Sequence, residues 1–321
     1  MKKTTKLWLV IAAFLVVAGL ILFAAVMSKN KWDFTKLSTV NHERNTYEIS
    51  ETFHNLSINT DTADILFVLS EDEKCRVECY EEEKAKHSVT VENDTLIIKI
   101  IAEKSWYDHI GFNFDSPKMT VYLPKAAYTA LSIDESTGDI KIPEEFKFES
   151  VDISLSTGDV DFSASALALI QIKTSTGRIC VENTSAGELL LSASTGDITV
   201  SDVICEGDVT LRVSTGKVGL NKIACKNLTS VGTTGDIFLT HVIAEENFSI
   251  MRTTGDVRFD NSDATEIFVE TDTGDITGSL LTDKVFITHT DTGSIEVPKT
   301  VTGGKCEIIT DTGDIRITIK K

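Results

Sequence analysis

The sequence predicts an all-β protein: a single-stranded parallel β-solenoid of about 19–20 residues per coil, preceded by one transmembrane helix. Three observations lead there. Thr-Gly pairs recur at a nearly constant period from Thr137 to Gly313, apolar pairs of period two flank each of them, and a long uncharged run stands near the N-terminus.

Residues 1–6 carry Lys2, Lys3 and Lys6 and are expected to form a short cytoplasmic tail. Leu7 to Met27 contains no charge, and twenty or so apolar residues in a helix span the hydrocarbon core of a bilayer. A cleaved signal peptide is the competing reading, because the lysines form a positive n-region. The run is longer than a usual signal core, however, and Ala24-Ala25-Val26-Met27-Ser28 is a poor cleavage site. An uncleaved single-pass anchor at the cell membrane is the expectation, with the N-terminus inside and the bulk of the chain extracytoplasmic. Lys29, Lys31 and Lys36 nearly balance the first lysines, so charge asymmetry alone does not set that orientation. Residues 28–46, polar and mixed in charge, read as a stalk.

Residues 47–130 read as a worn-down solenoid or cap region. Ser57–Val68 holds Thr62-Ala63-Asp64-Ile65 where later coils hold Thr-Gly-Asp-Ile, and Ser88–Val91, Leu96–Ile101 and Met119–Leu123 alternate. The aromatic stretch Trp106–Asp115 interrupts them and is expected to cover the solenoid.

Residues 131–321 are the regular part. Successive repeat glycines are 20, 19, 19, 20, 19, 20, 19, 19 and 20 residues apart. Apolar pairs stand seven and five residues before the glycine (Leu131/Ile133, Val209/Leu211) and two and four after it (Ile198/Val200, Val257/Phe259). Period two means strands with one buried face, and the β-branched and aromatic residues suit them. One coil cannot bury that face alone; stacking closes a continuous core. Ten coils at strand spacing make a rod of about 48 Å. Glycine suits the corner because it reaches positive φ without a Cβ penalty. The preceding threonines are expected to stack as a ladder, and the solenoid to be right-handed, as parallel connections generally are. In sequence-ordered stacking the strand Ile315–Lys321 would be the outer edge, blunted by Lys320 and Lys321.

The N-terminal apolar segment, the passage Lys118–Ile140 ("KMTVYLPKAAYTALSIDESTGDI") and the following Ser-Thr-Gly-Asp coils together resemble the bacterial putative-adhesin domain family, a family of unknown function, over most of residues 47–321. The resemblance implies a right-handed β-solenoid at the bacterial cell surface, often near envelope-stress genes, and supplies no catalytic residues.

Composition and motifs narrow the chemistry. The first 31 residues hold five lysines and no acid, leaving 26 cationic against 49 acidic residues, a net −23, for the remainder. Such a surface repels nucleic acid, so no nucleic-acid partner is expected. Asp272-Thr273-Gly274, repeated at Asp291 and Asp311, matches the aspartic-protease tripeptide, yet earlier coils have Ser or Thr in that position. All three residue types serve turns, and stacked aspartates do not face each other across a cleft. The position after the glycine reads Asp139, Asp159, Arg178, Asp197, Lys217, Asp236, Asp256, Asp275, Ser294, Asp314. Arg178 and Lys217 offset the middle aspartates, whereas Asp272, Asp275, Asp291, Asp311 and Asp314 crowd one corner without a cation. Calcium, which takes six to eight oxygens, is the candidate ligand there; solvated turn caps are the alternative. No other cofactor is expected. Cys205 and Cys225, each nine residues after a glycine, should be neighbours in adjacent coils, where a disulfide is geometrically allowed. Small apolar packing, as at Ala186 and Ala244 of the same column, is the alternative. Cys75-x3-Cys79 lacks the second pair that a zinc site needs, and most of the scattered histidines are expected at the surface.

The expectation is therefore a non-enzymatic, membrane-anchored rod that adheres to or binds an unknown surface ligand or envelope protein. An envelope-stress sensor is the alternative. A polysaccharide-cleaving β-helix, with Asp159, Arg178, Asp197 and Lys217 in a groove, is disfavoured because the coils leave no loop to wall a cleft.

Overall fold

A computed structural model describes residues 3–33, 41–102 and 116–320. Lys3–Lys29 is one α-helix, long and apolar enough to cross a membrane. The expected stalk is shorter than residues 28–46, because His42–Ile49 is already a strand. The aromatic stretch Trp106–Asp115 expected to cover the solenoid lies outside the described residues.

All strands belong to one hydrogen-bonded sheet that winds into a parallel solenoid. Around Gly216 a coil runs through Val209–Thr215, turns at the glycine, and continues in Val218–Thr234 into the next level. Its inward residues are Val209, Leu211, Val213, Val218, Leu220, Ile223 and Cys225, all buried. The columns expected from the sequence are present, joined by two more, three residues before and seven after the glycine. The threonine ladder forms, with Thr157 opposite Thr137 and Thr176, and Thr234 opposite Thr215 and Thr254.

The repeat glycines have φ between 127° and 156°. A second corner follows six residues later, where Asn183, Asp202, Lys222, His241 and Asn261 adopt φ of 50–53°. This left-handed turn shifts the alternation by one, so that the residues seven and nine after the glycine point inward, while the column three before the glycine continues the alternation of the preceding strand. It escapes sequence reading because the residue type varies; only asparagine and aspartate carry a clear preference for that conformation.

Both ends depart from sequence order. At the N-terminal end, the level Asn55–Thr62/Asp64–Leu69 lies between Thr95–Ala102/Lys118–Leu123 on one side and Ala127–Thr137/Ile140–Ile142 on the other. Antiparallel strands then close that end: Cys75–Glu82 pairs with Lys118–Leu123 and His42–Ile49, and Ala85–Glu92 pairs with Thr95–Ala102. Residues 47–130 are thus part solenoid and part antiparallel cap. At the other end, Glu266–Thr273 pairs not with Lys284–Thr292 but with Gly304–Thr312, which in turn pairs with Lys284–Thr292. Ile315–Ile319 likewise sits between Ile276–Leu280 and Ile295–Glu296. The strand expected to be an outer edge is therefore interior, with Ile315 and Ile317 buried.

Buried charges pin these levels. Lys284 Nζ bonds Asp263 Oδ1 at 2.8 Å with both side chains almost fully buried, anchoring the start of the displaced level. Arg252 occupies a core column and donates to the Val213 carbonyl and to Ser230. Gly232 makes room for it: a Cβ there would lie 1.6 Å from Arg252 Nη1. Glu135, in the same column, accepts the Ala63 backbone N–H at 2.9 Å, while its second oxygen is buried without a partner. Burial pushes its carboxyl up to about 8.

Candidate functional site

The corner aspartates have a structural task. Asp139 Oδ1 accepts the backbone N–H of Asp159, Asp159 Oδ1 that of Arg178, and Asp197 Oδ1 that of Lys217. The chain of caps resumes from Asp236 to Asp256, Asp275, Asp314 and Ser294. Each carboxylate satisfies the one backbone donor that the corner turns along the rod. Arg178 bridges Asp159 and Asp161, and Lys217 reaches Asp236 at 3.4 Å, so the two cations offset the ladder as their positions suggest.

Three of the five carboxylates of the last coils, those of Asp275, Asp291 and Asp314, are engaged by other groups of the protein. Through the swapped register Asp272, Asp311 and Asp291 precede threonines that stack in that spatial order. Asp275 caps Asp314, Asp314 accepts from the Ser294 N–H and hydroxyl at 2.8 Å and pairs with Arg316, and Asp291 bonds His289. The two Ser294 bonds hold the Asp314 carboxyl below its ordinary range, with Arg316 adding to the effect. No three of these carboxylates bring an oxygen each within 4.8 Å of one another, as a calcium shell would require.

Cys205 and Cys225 share the expected column, with Ala186 opposite Cys205 and Ala244 opposite Cys225. Both are free thiols: Cys205 Sγ approaches the Gly187 carbonyl at 3.5 Å, and Cys225 Sγ the Ile243 carbonyl at 3.9 Å. Burial pushes the Cys225 thiol up to about 12 and raises Cys205 as well, so neither is a reactive thiolate at neutral pH.

Among the described residues, a buried titratable cluster lies in the N-terminal cap. Alternation along Cys75–Glu82 turns Cys75, Val77, Cys79 and Glu81 inward, and the following strand turns Ala85 and His87 toward them. His87 Nδ1 meets Glu81 Oε2 at 2.6 Å, and the His87 backbone N–H donates to the same oxygen. His87 Nε2 meets Thr60 Oγ1 at 2.8 Å, Asn45 donates to Glu81 Oε1, and Tyr47 donates to the His87 carbonyl. Burial would raise the Glu81 carboxyl, yet the His87 and Asn45 bonds hold it below its ordinary range. Burial, with Glu81 nearby, pushes the Cys79 thiol up to about 12.

Cys79, Glu81 and His87 are the one group among the described residues whose ligand atoms lie within 4.8 Å. The hydrogen-bonding capacity of Glu81 and His87 is nonetheless filled by protein, and a thiol so hard to ionise is a poor metal ligand. The hydroxyl–imidazole–carboxylate order of Thr60, His87 and Glu81 copies the polarity of a catalytic relay. Thr60, His87 and Glu81 are all buried, so the hydroxyl meets no solvent-borne substrate there. His87 is thus a core residue, an exception to the expectation that most histidines lie at the surface, while His54 and His289 are exposed. The sequence signal was available: an alternating strand with Glu81 on its apolar face, two residues of turn, then His87 on the matching face.

Polar depressions mark the surface, of which two bear on function. One of about 580 Å³ at the cap is lined by polar side chains including Arg44, Asp64, Glu78 and Lys118. The other, about 360 Å³, follows the outward serines Ser154, Ser156, Ser175, Ser192 and Ser194 beside Asp134 and Lys173.

Fold and surface together define a parallel β-solenoid repeat protein with one capped end and, among the described residues, no enclosed cleft along its lateral faces. The model of the Toastrack DUF4097 family matches residues 53–212 and 204–321, and the chain belongs to that family. Solved structures that resemble it include a putative lipid binding protein of Parabacteroides distasonis (15% identity, TM-score 0.48, covering 88% of this chain and 98% of that one). A putative adhesin of the same organism is similar at 10% identity and TM-score 0.44, with coverage of 85% and 98%. One from Bacteroides fragilis is similar at 15% identity and TM-score 0.41, with coverage of 87% and 97%. No curated protein matches the chain.

Proposed function

We propose that this protein is a non-catalytic binding rod of the bacterial envelope, held at the membrane by Lys3–Lys29 with the solenoid outside, and that it binds an extended surface ligand along its lateral faces. The observation that carries this reading is the uninterrupted outward ladder. Ser136, Ser156, Ser175, Ser194 and Ser214 repeat once per level and lie on strands in parallel register, and Ser156, Ser175 and Ser194 border the depression with Asp134 and Lys173. Hydroxyls repeated at strand spacing suit a polymer lying along the rod. The buried relay-like group of Thr60, His87 and Glu81, by contrast, serves the cap.

The test is capture of cell-wall polymers and surface proteins by the full chain in lipid nanodiscs, compared with a Ser156→Glu/Ser175→Glu/Ser194→Glu variant. Saturable capture weakened by the variant is expected. Capture that is absent, or unchanged in the variant, rejects the lateral-face reading. Loss of a transcriptional envelope response on removing residues 3–29, without any ligand capture, would favour a sensor instead.

A further inference from the structure

The edge of the solenoid where each level returns to the next exposes an apolar side chain on every second level. Counted from Gly138 as the first, Gly158, Gly196, Gly235 and Gly274 close the second, fourth, sixth and eighth levels. The returns that follow them expose Leu167 (84%), Ile204 (65%), Ile243 and Leu281. The returns between offer small side chains or hollows. Ser185, Ile204, Ala224 and Ile243 are successive partners in parallel register, so isoleucine alternates with serine or alanine. At the seventh return lies a depression of about 390 Å³ lined by residues including Ile243, Ala264, Thr265 and Leu281. At the first lies one of about 310 Å³ lined by residues including Tyr128, Phe148 and Leu167. Single exposed apolar residues need no explanation, but a row about 34 Å long does.

Charge alternates at the middle of this edge as size does. The fourth return carries Asp202 and Glu206 on either side of Ile204, and the fifth carries Lys222 and Lys226 on either side of Ala224. All four are exposed. The spacing says what fits here. Protruding side chains stand two levels, about 9.6 Å, apart, and this chain's own edge repeats at that distance with hollows in the alternate places.

We infer that this edge is the interface with a second copy of the chain, docked antiparallel about a two-fold axis that crosses the edge between the fourth and fifth returns. That operation sets the fourth return on the fifth, the third on the sixth, the second on the seventh and the first on the eighth. Ile204 then covers the second copy's Ala224, and Ile243 covers its Ser185. Leu167 enters the depression of the seventh return, and Leu281 that of the first. Like flanks face each other, so Glu206 meets the second copy's Lys226 and Asp202 its Lys222, which is the charge complementarity that fixes register. Glu246, which falls opposite the second copy's Glu188, is already paired with Lys226 of its own chain. Parallel copies in register would instead set Ile204 on Ile204 and Glu206 against Asp202. The antiparallel contact is isologous and closed, and a single edge of this length belongs to the small, reversible class of interface. The chain enters the solenoid through the cap strand His42–Ile49, so antiparallel copies hold their N-terminal helices at opposite ends. On the envelope reading proposed above, on which this last step rests, the two copies stand on facing membranes.

Sedimentation equilibrium of the full chain in density-matched detergent tests the interface without needing a membrane. Wild type should approach twice the 35.2 kDa chain mass as concentration rises, and Ile204→Asp should raise the dissociation constant at least about tenfold. Glu206→Lys and Lys226→Glu should each weaken self-association at least about fivefold, because both symmetry-related contacts turn repulsive. An equimolar mixture of those two variants should associate as tightly as wild type, since each altered charge then meets its opposite; neither a misfolded variant nor an unrelated contact gives that rescue. Ser156→Glu/Ser175→Glu/Ser194→Glu, on another face, should leave the dimer unchanged. A monomer at all concentrations, an Ile204→Asp variant as tight as wild type, or a mixture no tighter than its components overturns the inference. Clustering of vesicles that all carry the wild-type chain supports the facing-membrane arrangement; dimers in detergent without clustering keep the interface and reject the envelope orientation.

Discussion

Gly216→Ala should be far more damaging than Gly219→Ala three residues away. Gly216 has φ +149°, and a Cβ built on it lies 2.0 Å from the Gly196 carbonyl oxygen and 2.6 Å from its carbon. The obstacle is backbone of the adjacent level, not the end of a side chain. Restoring an ordinary carbon–oxygen contact of about 3.3 Å needs the levels to part by more than about 1 Å. That stretches the bonds Gly196 N–H to Thr215 O and Ile198 N–H to Lys217 O, both 2.9 Å between heavy atoms. Two hydrogen bonds at about 1 kcal/mol each, plus about 1–3 kcal/mol for an L-residue in that conformation, total about 3–5 kcal/mol. Gly219 has nothing within 4 Å of its Cβ position and sits inside a strand, where alanine is worth about 0.5–1 kcal/mol over glycine. Urea denaturation of the two variants measures the difference, and hydrogen exchange locates it. Since each level touches only its neighbours, lost protection should centre on the levels of Gly196, Gly216 and Gly235. Equal stabilities for the two variants would refute the close-stacking argument.

Three further outcomes are expected. Gly232→Ala should cost about 2–4 kcal/mol by displacing the Arg252 guanidinium, and Arg252→Val should rescue most of it, a coupling of at least about 1 kcal/mol in a double-mutant cycle. Glu135 titrates at about 8 in the folded chain against an ordinary 4.5. A raised acid stabilises the fold fully below the lower value and loses that stability as pH climbs toward the upper one, about 1.4 kcal/mol per pH unit. Glu135→Gln should therefore out-stabilise wild type in melts at pH 8 and match it near pH 5. Thiol titration should find six free thiols after denaturation, with Cys75, Cys79, Cys225 and Cys306, all pushed up to about 12 by burial, silent in the native chain; a missing pair would mean that Cys205 and Cys225 are bridged.

The regular part of the fold was legible because its signals are local and repeated. A Thr-Gly corner with an apolar pair on each side identifies a strand–turn–strand unit, and the ten copies multiply the evidence. The aspartates were legible as turn residues for the same reason, since Asp272 occupies the position of Ser136 and Thr233. The second corner was not, because a single left-handed residue costs little enough that lysine, histidine, asparagine and aspartate all serve there. Nor was the cap, whose Glu81–His87–Thr60 contacts join residues of three strands that no periodicity links.

Period and composition alone determined the class of fold, the coil length, the inward columns on both sides of each glycine and the apolar N-terminal helix, because each follows from spacing along the chain. Only the tertiary structure decided the order in which levels stack. Every level offers nearly the same ladder and the same apolar columns, so any level can sit on any other at similar cost. What breaks that degeneracy is long-range and particular: Lys284 reaching Asp263, and Cys306 and Ile308 filling the core columns beside Ile267 and Val269. Those contacts place Gly304–Thr312 inside and leave Lys284–Thr292 as the open edge.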